Sequence, residues 1–167
     1  MKRSVALLST LLGIIWYASP AQAQSKSTAG FDKLRTLAGE WQGKTSDGKS
    51  FEVSYQLISN SSALMETLAS ANEPSMVTVY HADGDNLMMT HYCSIANQPR
   101  MRAKVPAGDI KKLEFSFVDA TNLANSNDAH MSSLVYTFQD KDHVMAEWTL
   151  SKDGQKMPMM FNLERKK

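Results

Sequence analysis

The sequence predicts an all-β fold: an antiparallel up-and-down (meander) β-barrel of about ten strands, preceded by a short helix. Three observations carry this expectation. Apolar residues recur with period two in several separate runs. Short Asp, Asn and Gly turn motifs separate the runs. No stretch between them is long enough for the crossover helices of a parallel sheet.

The elements follow in order. Residues 31–37 place Phe31, Leu34 and Leu37 on one stripe, which reads as one or two helical turns. Gly39 punctuates and Trp41 opens the first strand. Phe51, Val53, Tyr55 and Leu57 then alternate with Glu52, Ser54, Gln56 and Ile58. The same alternation returns at Leu113-Phe115-Phe117, Leu134-Tyr136-Phe138, Val144-Ala146-Trp148-Leu150 and Met157-Met159-Phe161-Leu163. Successive strand side chains point to opposite faces, so each run buries one face. Turns are expected at Asp47-Gly48, Asn60-Ser61, Asp83-Gly84, Pro106-Ala107-Gly108, Lys141-Asp142 and Asp153-Gly154. Residues 120–129, rich in Asn and small side chains, read as a surface loop. A meander leaves two open edges unless it closes, which favours a barrel over a sandwich.

The chain start reads as an address. Lys2 and Arg3 precede an apolar run from Val5 to Tyr17, Pro20 ends it, and Ala21-Gln22-Ala23 fits a small-x-small cleavage site. The run is shorter than the roughly 20 residues a membrane-spanning helix needs. Residues 1–23 are therefore expected to be a signal peptide, 24–30 a flexible leader and 31–167 the barrel domain. Gln24, not Cys, follows the cut, so the expected location is periplasmic or secreted without a lipid anchor. Cleavage removes two of the 18 basic residues and leaves 16 against 17 acidic ones. That balance offers no electrostatic footprint for nucleic acid. No second apolar stretch predicts a membrane span. Cys93 is the single cysteine, so no intrachain disulfide forms, and burial is its expected state in an oxidising compartment.

Leu37-Ala38-Gly39-Glu40-Trp41-Gln42-Gly43 resembles the Gly-x-Trp opening of calycin-type (lipocalin-like) barrels, whose Trp plugs one barrel end. Further segments extend the likeness: Val77 to His81, Thr90 to Cys93, Asn97 to Met101, Phe115 to Phe117, His130-Met131 and Glu147 to Thr149. With these the chain resembles the nitrobindin-like, DUF1579-like exported barrels. The resemblance implies a ten-stranded barrel with an internal cavity. Haem-bearing nitrobindins use a His near the chain end, whereas the last His here is His143 and Met157, Met159 and Met160 follow it. No cofactor is therefore expected, with haem, or a soft metal held by Met, Cys93 and His91, as the alternative.

The candidate binding residues are of two kinds. Trp41, Tyr55, Phe115, Phe117, Tyr136, Trp148 and Phe161 are expected to line the interior. His91, Tyr92 and Arg100 are expected to orient a ligand there, following the usual make-up of small-molecule sites. His91 and Cys93 share one strand face, and Thr90 and Tyr92 the other. Arg100 facing inward would make a positive wall suited to an anion; facing outward it is solvated surface. Glu66 sits between Leu64 and Leu68 on an apolar face, which points to an inward carboxylate with Arg100 or Arg102 as partner. His130 follows the long loop and is placed at a barrel mouth. No phosphate loop, nucleophile elbow or zinc-protease motif occurs. The expected function is binding of a small, mostly apolar or amphipathic molecule with a polar or anionic end, rather than catalysis. The rival is an envelope interaction protein with a solid barrel.

Overall fold

The computed structural model describes residues 26–45, 48–70 and 74–167. The signal peptide expected over residues 1–23 lies outside them. A helix, α1 (Lys26–Arg35), leads into ten strands: β1 (Gly39–Thr45), β2 (Ser50–Ile58), β3 (Ala63–Ser70), β4 (Met76–Asp83) and β5 (Asn86–Tyr92). The remainder are β6 (Gln98–Lys104), β7 (Lys112–Thr121), β8 (His130–Phe138), β9 (His143–Lys152) and β10 (Gln155–Arg165). Every strand pairs antiparallel with its sequence neighbour, and β1 pairs with β10 from Trp41↔Arg165 to Thr45↔Phe161, which closes the barrel. The expected meander is therefore the observed topology.

Alternation decides what is inside. On β2, Phe51, Val53 and Tyr55 are buried while Glu52 and Gln56 are exposed. On β6, Pro99, Met101 and Ala103 are buried while Arg100, Arg102 and Lys104 are exposed. The outer face carries the charges and the inner face the core, opposite to a lipid-facing barrel. No helix among the described residues is long and apolar enough to cross a membrane.

The helix departs from expectation. It begins at Lys26, so residues 26–30 are helical rather than a flexible leader. Ser27, Gly30, Phe31 and Leu34 are its buried stripe, spaced i, i+3, i+4, i+7. Two of these are small because the barrel is close: a Cβ at Gly30 would overlap the Val105 side chain. The stripe closes one end of the barrel. Trp41 is 1% exposed there, its indole Nε1 donates to the Leu37 carbonyl at 2.7 Å, and the Arg165 guanidinium lies 4.2 Å from its ring centre. The end-plugging Trp that the sequence suggests is present.

The opposite end is uneven. β1 stops at Thr45, but β10 continues to Gln155 alongside β9. Residues 155–160 thus have no second partner among the described strands. Lys166 N–H bonds to the Glu40 carbonyl, which sets the even-numbered residues of β10 facing β1. Pro158 is one of them, so its missing N–H falls on the unpaired side, where proline blunts an edge without losing a ladder bond.

Candidate functional site

Four paired positions on neighbouring strands bring a polar row into the barrel. Tyr55 of β2 faces Glu66 of β3, Glu66 faces Thr78 of β4, and Thr78 faces His91 of β5. All four side chains are buried, Glu66 at 4% exposure. The carboxylate is inward, as its apolar neighbours suggest, but its partners are not arginines. Tyr80 donates a short hydrogen bond to Glu66 Oε2, and Tyr136 donates to the same oxygen at 3.1 Å. The Tyr136 hydroxyl also lies 2.9 Å from that of Tyr80 and 3.0 Å from that of Tyr55. Three phenols therefore close around one carboxyl group.

Burial pushes the Glu66 carboxyl up from 4.5 to about 7, against the pull of Tyr80, Tyr136 and Thr78 on its charge. Burial and then the Glu66 charge hold Tyr55, Tyr80 and Tyr136 protonated well above the ordinary phenol range. His91 continues the chain, with Nδ1 2.9 Å from Thr78 Oγ1. Its ring packs 4.6 Å from that of Trp148 on the far wall. Desolvation draws His91 down from 6.5 to about 4, so the imidazole is neutral at neutral pH. Its Nε2 is buried with no hydrogen-bond partner.

Towards the uneven end the core gives way to a cavity of about 450 Å³. Its walls come from strand ends and the β5–β6 connection. They include Phe51, Leu68, Cys93, Met131, Met159 and Phe161. Thr45, Lys49 and Ser70 also line it. Beneath it lies a residual void with about 10 Å³ of room for a water centre, enough for one molecule. Glu66, Tyr55 and Trp148 line this void, and it shares Phe51, Leu68 and Phe161 with the cavity above. One layer of three apolar side chains thus separates the mouth from the carboxyl group.

The expected interior residues divide accordingly. Trp41, Tyr55, Phe115, Tyr136 and Trp148 are buried core. Phe161 is half-buried in the mouth floor, edge to face with Phe51 at 5.1 Å. Phe117 is half-buried rather than interior, because the β6–β7 register shifts at Arg100/Met101 just opposite; its ring packs 4.7 Å from that of His130. His130 lies at the mouth end, as expected, and its Nδ1 donates to the Asp128 carbonyl at 2.7 Å. His91 and Cys93 both turn inward, and Cys93 reaches the cavity from just beyond β5.

Two further expectations are overturned. Tyr92 is 51% exposed, on the opposite face of β5 from His91. Arg100 points to solvent and pairs with Asp119 through Nε, at 2.6 Å, and Nη2. Arg102 likewise pairs outside with Asp83 at 3.2 Å. No positive wall forms, because Pro99, Met101 and Ala103 take the inward positions of β6. The parts that sequence reading missed are Tyr80 and Thr78, whose signal was a Thr-x-Tyr alternation on β4 in phase with Glu66.

The haem alternative lacks a fit. No histidine lines the mouth cavity, and His91 is enclosed by Thr78 and Trp148 below it. The cavity offers thioethers and one thiol, without the imidazole that usually accompanies methionine on haem iron. No family model matches the chain, and no curated protein is detectably similar to it.

Proposed function

We propose that this is an exported binding barrel that holds a small, mostly apolar molecule in the cup at its open end. The observation that carries the reading is the apolar, methionine-lined cavity of about 450 Å³ opposite the helix-plugged end. That volume suits a compact ligand, and methionine side chains adapt to varied shapes. The resemblance to nitrobindin-like exported barrels supports the same reading. So does the signal-like start of the chain. Arg100 no longer supports an anionic ligand end, since it is tied to Asp119 on the outer wall.

An environment-sensitive naphthylamine dye tests the proposal. Saturable dye uptake by the wild type is expected, and Met131→Trp, which fills the cup from a half-buried position, is expected to weaken it roughly tenfold. Uptake that never saturates, or that Met131→Trp leaves unchanged, sinks the reading. Export has its own check: protein recovered outside the cytoplasm should have a mass that begins at Gln24.

The filled barrel below the cup favours a second reading, an interaction protein of the envelope. Ile95, Met157 and Met160 are exposed at the same end and would meet the partner. Loss of a co-purifying protein on Ile95→Arg, with no dye uptake by the wild type, would select it.

A further inference from the structure

The carboxyl group at Glu66 is an expensive thing to bury. No cationic side chain among the described residues pairs with it; its neighbours are phenols and a threonine hydroxyl. A barrel that needed only volume at this position would take leucine, as at Leu64 and Leu68 beside it. Both tyrosine bonds converge on Oε2. The void beside the carboxyl group is walled by four aromatic rings, those of Phe51, Tyr55, Trp148 and Phe161. Aromatic residues around one carboxylate are the chemistry that accepts an alkylammonium group, by charge and by cation–π attraction together.

We propose that the polar end of the cup's occupant is a cationic amine, which passes the Phe161 layer and docks on Glu66 while its apolar body fills the cup. This rests on the cup reading above and names the ligand class for it. Reach is compatible. Glu66 lies four residues below Ser70 on β3, about 13 Å at the rise of a strand, a span that an extended alkyl chain covers. The floor can part because Phe161 is only half-buried and sits at the top of the β1–β10 pairing, opposite Thr45. Beyond that point β10 has no β1 partner to hold its wall. The raised Glu66 carboxyl agrees: a carboxyl group that lacks a cation is the one that gains most when a ligand brings one.

Decylamine, decanol and decanoate share one chain and differ in the polar end. Each is used to displace the dye at about pH 8, where Glu66 carries its charge. The amine is expected to compete roughly tenfold better than decanoate. Glu66→Gln should bring the two within about twofold. The variant should fold, since it removes a charge that burial disfavours. An amine preference that survives Glu66→Gln overturns the proposal, and so does dye uptake with no headgroup preference. Absence of dye uptake altogether overturns the cup reading and this inference with it.

Discussion

The two ends of the barrel are built on opposite principles. At the helix end the interior is capped: Leu34, Leu37 and Trp41 are almost fully buried, and Arg165 lies over the indole while donating to the Ala38 and Thr36 carbonyls. At the mouth end β1 stops short, four methionines stand in the wall, and a cavity remains where a core would continue. The contrast teaches where stability and adaptability reside. The plugged end locks the barrel's circumference, because Trp41 and Arg165 are a directly paired position of the closing strands. The mouth is left free of that duty.

Truncating one residue at each end separates the two roles. Trp41→Ala should cost about 3–5 kcal/mol, the range for a large buried aromatic. It removes the indole bond to Leu37 and the surface under Arg165 together. Met160→Ala, at 46% exposure, should change stability by no more than about 0.5 kcal/mol. Urea unfolding of both variants measures the difference. Equal costs would mean that the mouth carries the fold as much as the plug does.

Between the ends, the polar row sets up a second test. Glu66 is pushed up from 4.5 to about 7. As pH rises through that interval the folded state keeps a proton that the unfolded state has lost, so stability falls, by about 3 kcal/mol in all. His91 is drawn down from 6.5 to about 4. As pH falls through that interval the unfolded state takes up a proton that the folded state refuses, so stability is lost in the other direction by a similar amount. From pH 4.5 to 6.5 the slopes are opposed, each about 1.4 kcal/mol per pH unit. The wild type should therefore be nearly flat there. Glu66→Gln should uncover the His91 slope, with stability rising by about 3 kcal/mol across the same window. Urea midpoints at several pH values decide it; a variant profile parallel to the wild type would show that the two groups do not offset each other.

Much of this architecture is legible in the sequence, for physical reasons that also mark where legibility stops. Period two is a geometric consequence of the pleat, so β2 and the strands from β7 to β10 can be read from their apolar runs. The first turns of α1 cannot, because Ser27 and Gly30 are buried by close approach to Val105 rather than by hydrophobicity. An inward Glu66 follows from Leu64 and Leu68, and an inward His91 and Cys93 from one shared face. The three phenols around Glu66 do not follow. Tyr80 and Tyr136 lie 14 and 70 residues away, and only barrel closure and register bring them to one oxygen. Arg100 is the instructive case. Pro99, Met101, Ala103 and Val105 alternate with Arg100, Arg102 and Lys104, and that alternation places the arginines outside.

Arg100→Ala is accordingly the smallest expected effect and the cleanest test of which wall faces the ligand. The guanidinium is bound to Asp119 in full contact with water, where an ion pair adds little because solvent already screens both charges. Its removal should leave the unfolding midpoint and the dye affinity as they are in the wild type. A clear loss of binding on Arg100→Ala would mean that the occupant reaches the outside of β6. The mouth would then extend over the barrel wall, and the division between a sealed end and an open end would be too simple.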